Sequence, residues 1–153
     1  MNTTHDLIII GGGATAFAAA IRANELKKSV ALINAGLPLG GTCVNVGCVP
    51  SKKLLFAGEV MHQARHHGID GLEIEVKGFD FAKIIREERS LVAHLRTEKY
   101  EKVLQSLPGV EVIEGRARFV SPNEVAVNDS VLLSAHKVVI ATGSTATIPP
   151  IEG

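Results

Sequence analysis

The 153-residue chain has no tryptophan, one tyrosine and only 4% aromatic residues, and it carries no surplus of either charge. Sixteen basic and sixteen acidic residues cancel, which removes the electrostatic case for a nucleic-acid partner or an anionic membrane surface. The few aromatics are not interleaved with basic residues, as a base-stacking surface requires. Long apolar runs are missing too. Leu7 to Ile10 is apolar, but glycine follows at once and the run is too short to cross a bilayer. No basic stretch precedes it, so the start does not read as a signal peptide, and the expected compartment is the cytoplasm. Repeats and low-complexity segments are absent. The length and a 46% hydrophobic content fit one domain spanning 1–153 with its own core.

Cysteine is scarce as well, and both copies lie in one small, apolar stretch, Gly40 to Lys52, which reads GGTCVNVGCVPSK. Cys43 and Cys48 stand at i and i+5. On a regular helix that spacing is too wide, and on the wrong faces, for a bridge, which needs Cα atoms within about 7 Å. The backbone between them must therefore be distorted, and Asn45 and Gly47 are residue types that tolerate distortion. A pair held this way suits redox chemistry better than structural bracing. Two buried inert thiols, or half of a zinc site lacking its other ligands, are the competing readings.

The start of the chain supplies a second pattern. Asp6 to Ile10 is apolar and β-branched, as in a strand buried on both faces of a parallel sheet. A turn with Gly11, Gly13 and Ala16 follows, then an alanine-rich helix, then a second strand, Val30 to Asn34. In this strand–turn–helix order, Gly11 makes the tight turn and Gly13 admits a pyrophosphate to the backbone. The small Ala16 lets helix and strand pack closely. The phosphates would rest on the helix N-terminus. The residue ending the second strand should be acidic to hold ribose hydroxyls, but it is Asn34, which forgoes the charge-assisted bond.

From Cys48 the sequence reads as helix to about His67–Gly68. His62 and His66 are spaced to share a metal, but with no third ligand evident they read as solvated surface residues beside His67. A polar connection with an alternating piece, Leu72 to Val76, precedes a long amphipathic helix from Phe79 to Leu107, stopped by Pro108–Gly109. The period then changes to two. Short strands are expected at 110–113, 116–120, 124–127 and 131–133, forming a β-meander, before another buried strand at 137–141. The expected fold is a three-layer α/β domain of the Rossmann type. Its parallel sheet is built from 6–10, 30–34 and 137–141, with helices on one face and the meander of residues 110–133 on the other.

The GGTCVNVGCVPSK stretch resembles the redox-disulfide segment of the flavin-dependent pyridine nucleotide–disulfide oxidoreductases, and with the glycine turn and Ala141-Thr142-Gly143-Ser144 the resemblance covers essentially the whole chain. That family includes dihydrolipoamide dehydrogenase, glutathione reductase and mercuric reductase. The long helix around Leu91–Glu101 and the strand Gly115–Phe119 are most similar to the mercury-reducing branch. The resemblance implies an FAD-binding N-terminal portion, with NADPH and interface domains outside this chain and a homodimer in the full-length enzyme. It implies a Cys43–Cys48 disulfide, with Cys48 facing the flavin and Cys43 the more accessible interchange thiol, and with Hg(II) or a small disulfide as substrate. It places Lys52 near the flavin, Ala117 at the adenine through its backbone, and Thr142, Gly143 and Ser144 against the dinucleotide. Gly36, Gly41 and Thr42, around the loop before the thiols, join Gly11, Gly13, Ala16 and Asn34 as expected cofactor contacts. A non-catalytic flavin- or metal-binding module is the reading from another class.

Overall fold

Apolar residues on both faces force β1 (Thr3–Ile10) into the interior of a sheet, where Ile8 and Ile9 are each fully buried. The computed structural model describes residues 3–152; Met1, Asn2 and Gly153, which fall within the expected domain limits, lie outside the described residues. Helix α1 (Ala14–Glu25) returns the chain to β2 (Val30–Asn34), which pairs with β1 in parallel with Leu7 opposite Val30. The later strands are β3 (Val110–Glu114), β4 (Ala117–Ser121), β5 (Glu124–Val127) and β6 (Val131–Ile140). All six form one sheet in the order β3-β2-β1-β6-β5-β4. The expected parallel trio is therefore present, with β1 between its two partners.

Two apolar clusters cover the sheet. On one face Ile9, Val30 and Leu32 pack against Ala16, Phe17 and Ala20 of α1. On the other, Ile8, Ala31 and Ile33 pack against Val125, Val127, Leu133 and Ala135, contributed by β5 and the first half of β6. The antiparallel strands thus cover the face that α1 leaves bare, as expected of the meander. They do so while still hydrogen-bonded to the sheet through β6.

The meander itself begins later than the alternating pattern implied. Residues 110–114 leave it and form the edge strand β3, parallel to β2 with Val110 opposite Val30. Val112 on one side and Ile113 on the other reach the two clusters, so this strand is apolar on both faces rather than one. The separate strands expected at 131–133 and 137–141 are one continuous strand, β6. Its first part pairs antiparallel with β5, while Leu133 to Ile140 run parallel to β1. The alternating piece at 72–76 forms no strand.

The remaining helical pieces complete the fold. Helix α2 (Gly41–Asn45) and helix α3 (Cys48–Arg65) hold the thiols. Helix α4 (Phe81–Arg96) starts at Asp80, whose carboxylate accepts the Lys83 backbone N–H at 2.9 Å. The expected single helix to Leu107 instead passes through a π-helical turn, Thr97–Glu101, before the short α5 (Lys102–Gln105). That turn rotates Tyr100 onto Phe17 of α1, ring edge to face with centroids 4.8 Å apart. Of the apolar stripe expected along this helix, Val92 is buried and Phe81 is exposed.

Candidate dinucleotide cleft and thiol pair

A cleft opens where β1, β2 and β6 end together, at the carboxyl edge of the parallel strands, the usual ligand position in such sheets. Gly11 creates it. Its φ is +128°, and a Cβ there would lie 2.1 Å from the Ala141 carbonyl oxygen, so only glycine can turn under β6. The turn is pinned by Gly11 N–H donating to Ile33 O and Ala141 N–H donating to Ile10 O, each at 2.8 Å. Gly13 is the residue before α1, extended and uncapped by any side chain, so Ala14 and Thr15 present free backbone N–H groups. Gly41, at φ +60°, approaches it so closely that a Cβ would sit 2.8 Å from the Gly13 Cα.

Most of the residues expected at the cofactor meet in this one cleft, of about 570 Å³. Gly11 and Gly13 supply its floor, and Asn34 and Gly36 its β2 end. Gly41 and Thr42 enter from α2, Ala117 from β4, and Thr142, Gly143 and Ser144 from the segment after β6. Thr42 Oγ1 donates to Ser144 O at 3.3 Å, joining two of these walls. Two expected contacts are not brought in. Ala16 is fully buried in the first turn of α1, where it packs against the sheet, and Lys52 lies exposed on α3. Arg116 lines the cleft and was missed as a side chain. A lone basic residue in a turn has no spacing signal; only the pairing of β3 with β2 carries it there.

The thiols lie at the mouth. Cys43, in α2, lines a hollow shared with Gly13, Thr42 and Ala141 to Ser144. Cys48 is the first residue of α3, and the helix breaks between them at Val46 (φ −141°, ψ 0°) and Gly47 (φ −118°, ψ −107°). The distortion the spacing demanded is present, but Asn45 is not where it falls. Asn45 is the last residue of α2, and its side-chain N–H groups donate to Pro38 O and Gly41 O at 2.9 Å, tying the loop to the helix. Its side-chain oxygen is buried without a partner.

Both cysteines are free and exposed, so the reading of buried inert thiols is not the arrangement observed. The two thiols lie close enough for Cys48 to influence the ionisation of Cys43. Hydrogen bonding with the Cys48 side chain holds the Cys43 thiol above its ordinary pKa, reinforced by desolvation and by the Cys48 charge, while the Cys48 backbone and then Lys52 act in the opposite direction. Among the described residues no cluster of three or more His, Cys, Asp or Glu is arranged to hold a metal, which leaves a half-zinc site without its other half. His62 and His66 stack with centroids 4.5 Å apart on exposed α3.

A flavin adenine dinucleotide suits the residues present. The uncapped start of α1 offers N–H donors to phosphates, the close Gly13–Gly41 approach keeps side chains out of the way, and no carboxylate lines the cleft.

Comparison with known proteins agrees with this geometry. The profile of the family described as pyridine nucleotide-disulphide oxidoreductase matches residues 5–153. Mercuric reductase of Bacillus cereus is 43% identical over 99% of this chain and 24% of its own length. That of Streptomyces lividans is also 43% identical, over 99% of this chain and 33% of its own. Among solved structures, the Cu(II) complex of HOCl-induced flavoprotein disulfide reductase RclA from Escherichia coli superposes with a TM-score of 0.77 at 30% identity. The match covers all of this chain and 31% of that one. The chain therefore spans about a quarter to a third of the length of these relatives.

Proposed function

Because the chain belongs to the pyridine nucleotide-disulphide oxidoreductase family, we propose that it is the FAD-binding, thiol-bearing portion of a mercury(II) reductase. The overall reaction oxidises NADPH to NADP⁺ and a proton while Hg(II) takes up two electrons and leaves as Hg(0). The observation that carries the reading is the placement of Cys43 and Cys48 on either side of a helix break, with Cys43 at the mouth of a glycine-floored cleft. Curated relatives that are mercuric reductases support the choice of metal.

The flavin, when bound, supplies a two-electron redox centre. The chain's own residues do the rest. The first turn of α1 and the Thr142–Ser144 segment bind and orient the nucleotide. Cys43 and Cys48 hold the substrate: two S–Hg bonds form as two thiol protons are released, and soft thiolates suit a soft ion. In the oxidised state the same two sulfurs form a disulfide, which takes up two electrons and two protons to return the dithiol. Lys52 offsets the negative charge of the thiolates, the direction in which it already acts on Cys43. NADPH binds outside this chain, in a cytoplasmic homodimer of the full-length protein.

Titration of the reduced chain with Hg(II), followed by mass spectrometry and ultraviolet thiolate-to-metal absorption, tests the reading. One Hg(II) per chain, held by two sulfurs and lost as two-thiol coordination in both Cys43→Ser and Cys48→Ser, is expected. Independent, weak reaction of each thiol would refute it. A small disulfide is the second reading, favoured by the structural neighbour, itself titled a flavoprotein disulfide reductase. Under that reading reduced thiols exchange with an added disulfide faster than they capture Hg(II).

A further inference from the structure

The ribose end of the cleft has an unusual charge. In a strand–turn–helix–strand unit, an acidic residue ending the second strand takes the adenosine ribose hydroxyls, and by repulsion it excludes a phosphate there; where a phosphate is accepted, an arginine stands nearby. Here that position is Asn34, which bears no charge. Its Nδ2 is already committed, donating to Leu37 O at 3.0 Å. Its Oδ1 lies over the glycine turn, 2.4 Å from where a Cβ on Gly12 would be.

The same end holds an arginine. The Gly115 N–H donates to Asn34 O at 2.9 Å, so Arg116 follows directly on the residue that closes β3 against the end of β2. Its backbone is anchored by the Arg116 N–H donating to Asn128 Oδ1 at 2.8 Å. Arg116 is the only charged side chain lining the cleft, and among the described residues it forms no ion pair. Glu114, the nearest acid in sequence, does not line the cleft but lines the groove that adjoins it, together with Asn34 and Arg116. Arg118, two residues on, is neutralised by Asp129 at 2.7 Å.

We infer that Asn34 and Arg116 make the ribose end of this cleft accept an adenosine nucleotide carrying a phosphate on its ribose, of the adenosine 2′,5′-bisphosphate class. The inference rests on the dinucleotide reading of the cleft and deepens it: Asn34 and Arg116 are specificity residues, and a nucleotide phosphorylated on the ribose competes with the flavin nucleotide for this site.

Calorimetry on the 153-residue chain with two matched probes, adenosine 5′-monophosphate and adenosine 2′,5′-bisphosphate, tests it. The bisphosphate is expected to bind at least as tightly as the monophosphate. Asn34→Glu should weaken the bisphosphate by about tenfold or more, because the added carboxylate repels the ribose phosphate, and should leave the monophosphate unweakened, because the same carboxylate can take its ribose hydroxyls. Arg116→Gln, at an exposed side chain that the fold does not need, should act in the same selective direction. Bisphosphate binding tenfold weaker than the monophosphate in the unmodified chain overturns the inference. So do variants that shift both nucleotides equally. Failure of both nucleotides to bind instead removes the dinucleotide reading of the cleft, and the inference falls with it.

Discussion

The cleft and the thiol pair stand on different supports. The cleft is made of backbone at the ends of β1, β2 and β6, strands whose side chains are buried on both faces. The thiols ride on a five-residue helix and on α3, which buries none of its residues and leaves Leu55 at 71% and Phe56 at 61% exposed. What fixes their spacing is a helix break and one amide, Asn45, reaching across the loop. Shape that is written into a sheet resists change. Shape that hangs on a few hydrogen bonds can be altered one residue at a time.

The largest expected effect tests the rigid side. Gly11→Ala places a methyl on the Ala141 carbonyl in a backbone region closed to alanine, and should cost about 3 kcal/mol or more, read by urea unfolding. Gly36→Ala is the control: φ is +84°, nothing lies within 4 Å of the new methyl, and the cost should be about 1–2 kcal/mol. Equal losses at the two sites would show that the cleft floor is no more constrained than its rim.

Asn45→Ala probes the other support. Removing an amide that serves several loop carbonyls should cost about 2 kcal/mol, and it should uncouple the thiols. The rate of disulfide formation should then fall by more than the stability loss explains. An unchanged rate would mean that the break at Val46–Gly47 holds the pair unaided.

Cys48→Ala sharpens the picture further. With the hydrogen-bond partner gone, the main cause of the raised Cys43 pKa disappears, so the pH profile of Cys43 alkylation should move to lower pH. Both thiols are exposed, so access does not rank them, and the raised pKa of Cys43 lowers its thiolate fraction at neutral pH. Alkylation of the two thiols at several pH values tests the expectation that Cys43 is the more accessible interchange thiol: faster reaction at Cys48 throughout would overturn it.

The smallest effect returns to the sheet. Asp6 accepts the Ser29 backbone and hydroxyl hydrogens and pairs with Lys28, bringing its pKa to about 2 from 3.8. A carboxyl depressed on folding contributes stability above its unfolded pKa and loses it as pH falls through its folded one. Asp6→Asn should therefore flatten the acid loss of stability between about pH 4 and pH 2, with little change at neutral pH. An identical acid profile would show that the contact adds nothing.

Much of this was legible in the chain. The doubly apolar runs at 6–10 and 30–34 marked interior parallel strands, and the glycines between them marked the turn. The thiol spacing required a broken helix. Other features were not legible. Val110 to Glu114 alternates in sequence like a solvent-facing strand, yet it lies beside β2 because the sheet's edge was open to it. Two short apolar stretches became one strand, β6, because β1 supplies a partner from Leu133 to Ile140, across the gap between them.

The sequence by itself determined the local geometry that sterics impose within a few residues: the turn at Gly11, the break before Cys48, the small residues where α1 meets β1. Only the tertiary structure decided which distant groups meet, because that depends on strand order rather than on spacing. Pairing β3 with β2 brought Arg116 beside Asn34, positions 82 residues apart in the chain. Packing of the π-turn brought Tyr100 against Phe17. No local pattern encodes either meeting, since each requires the burial of apolar surface contributed by both partners.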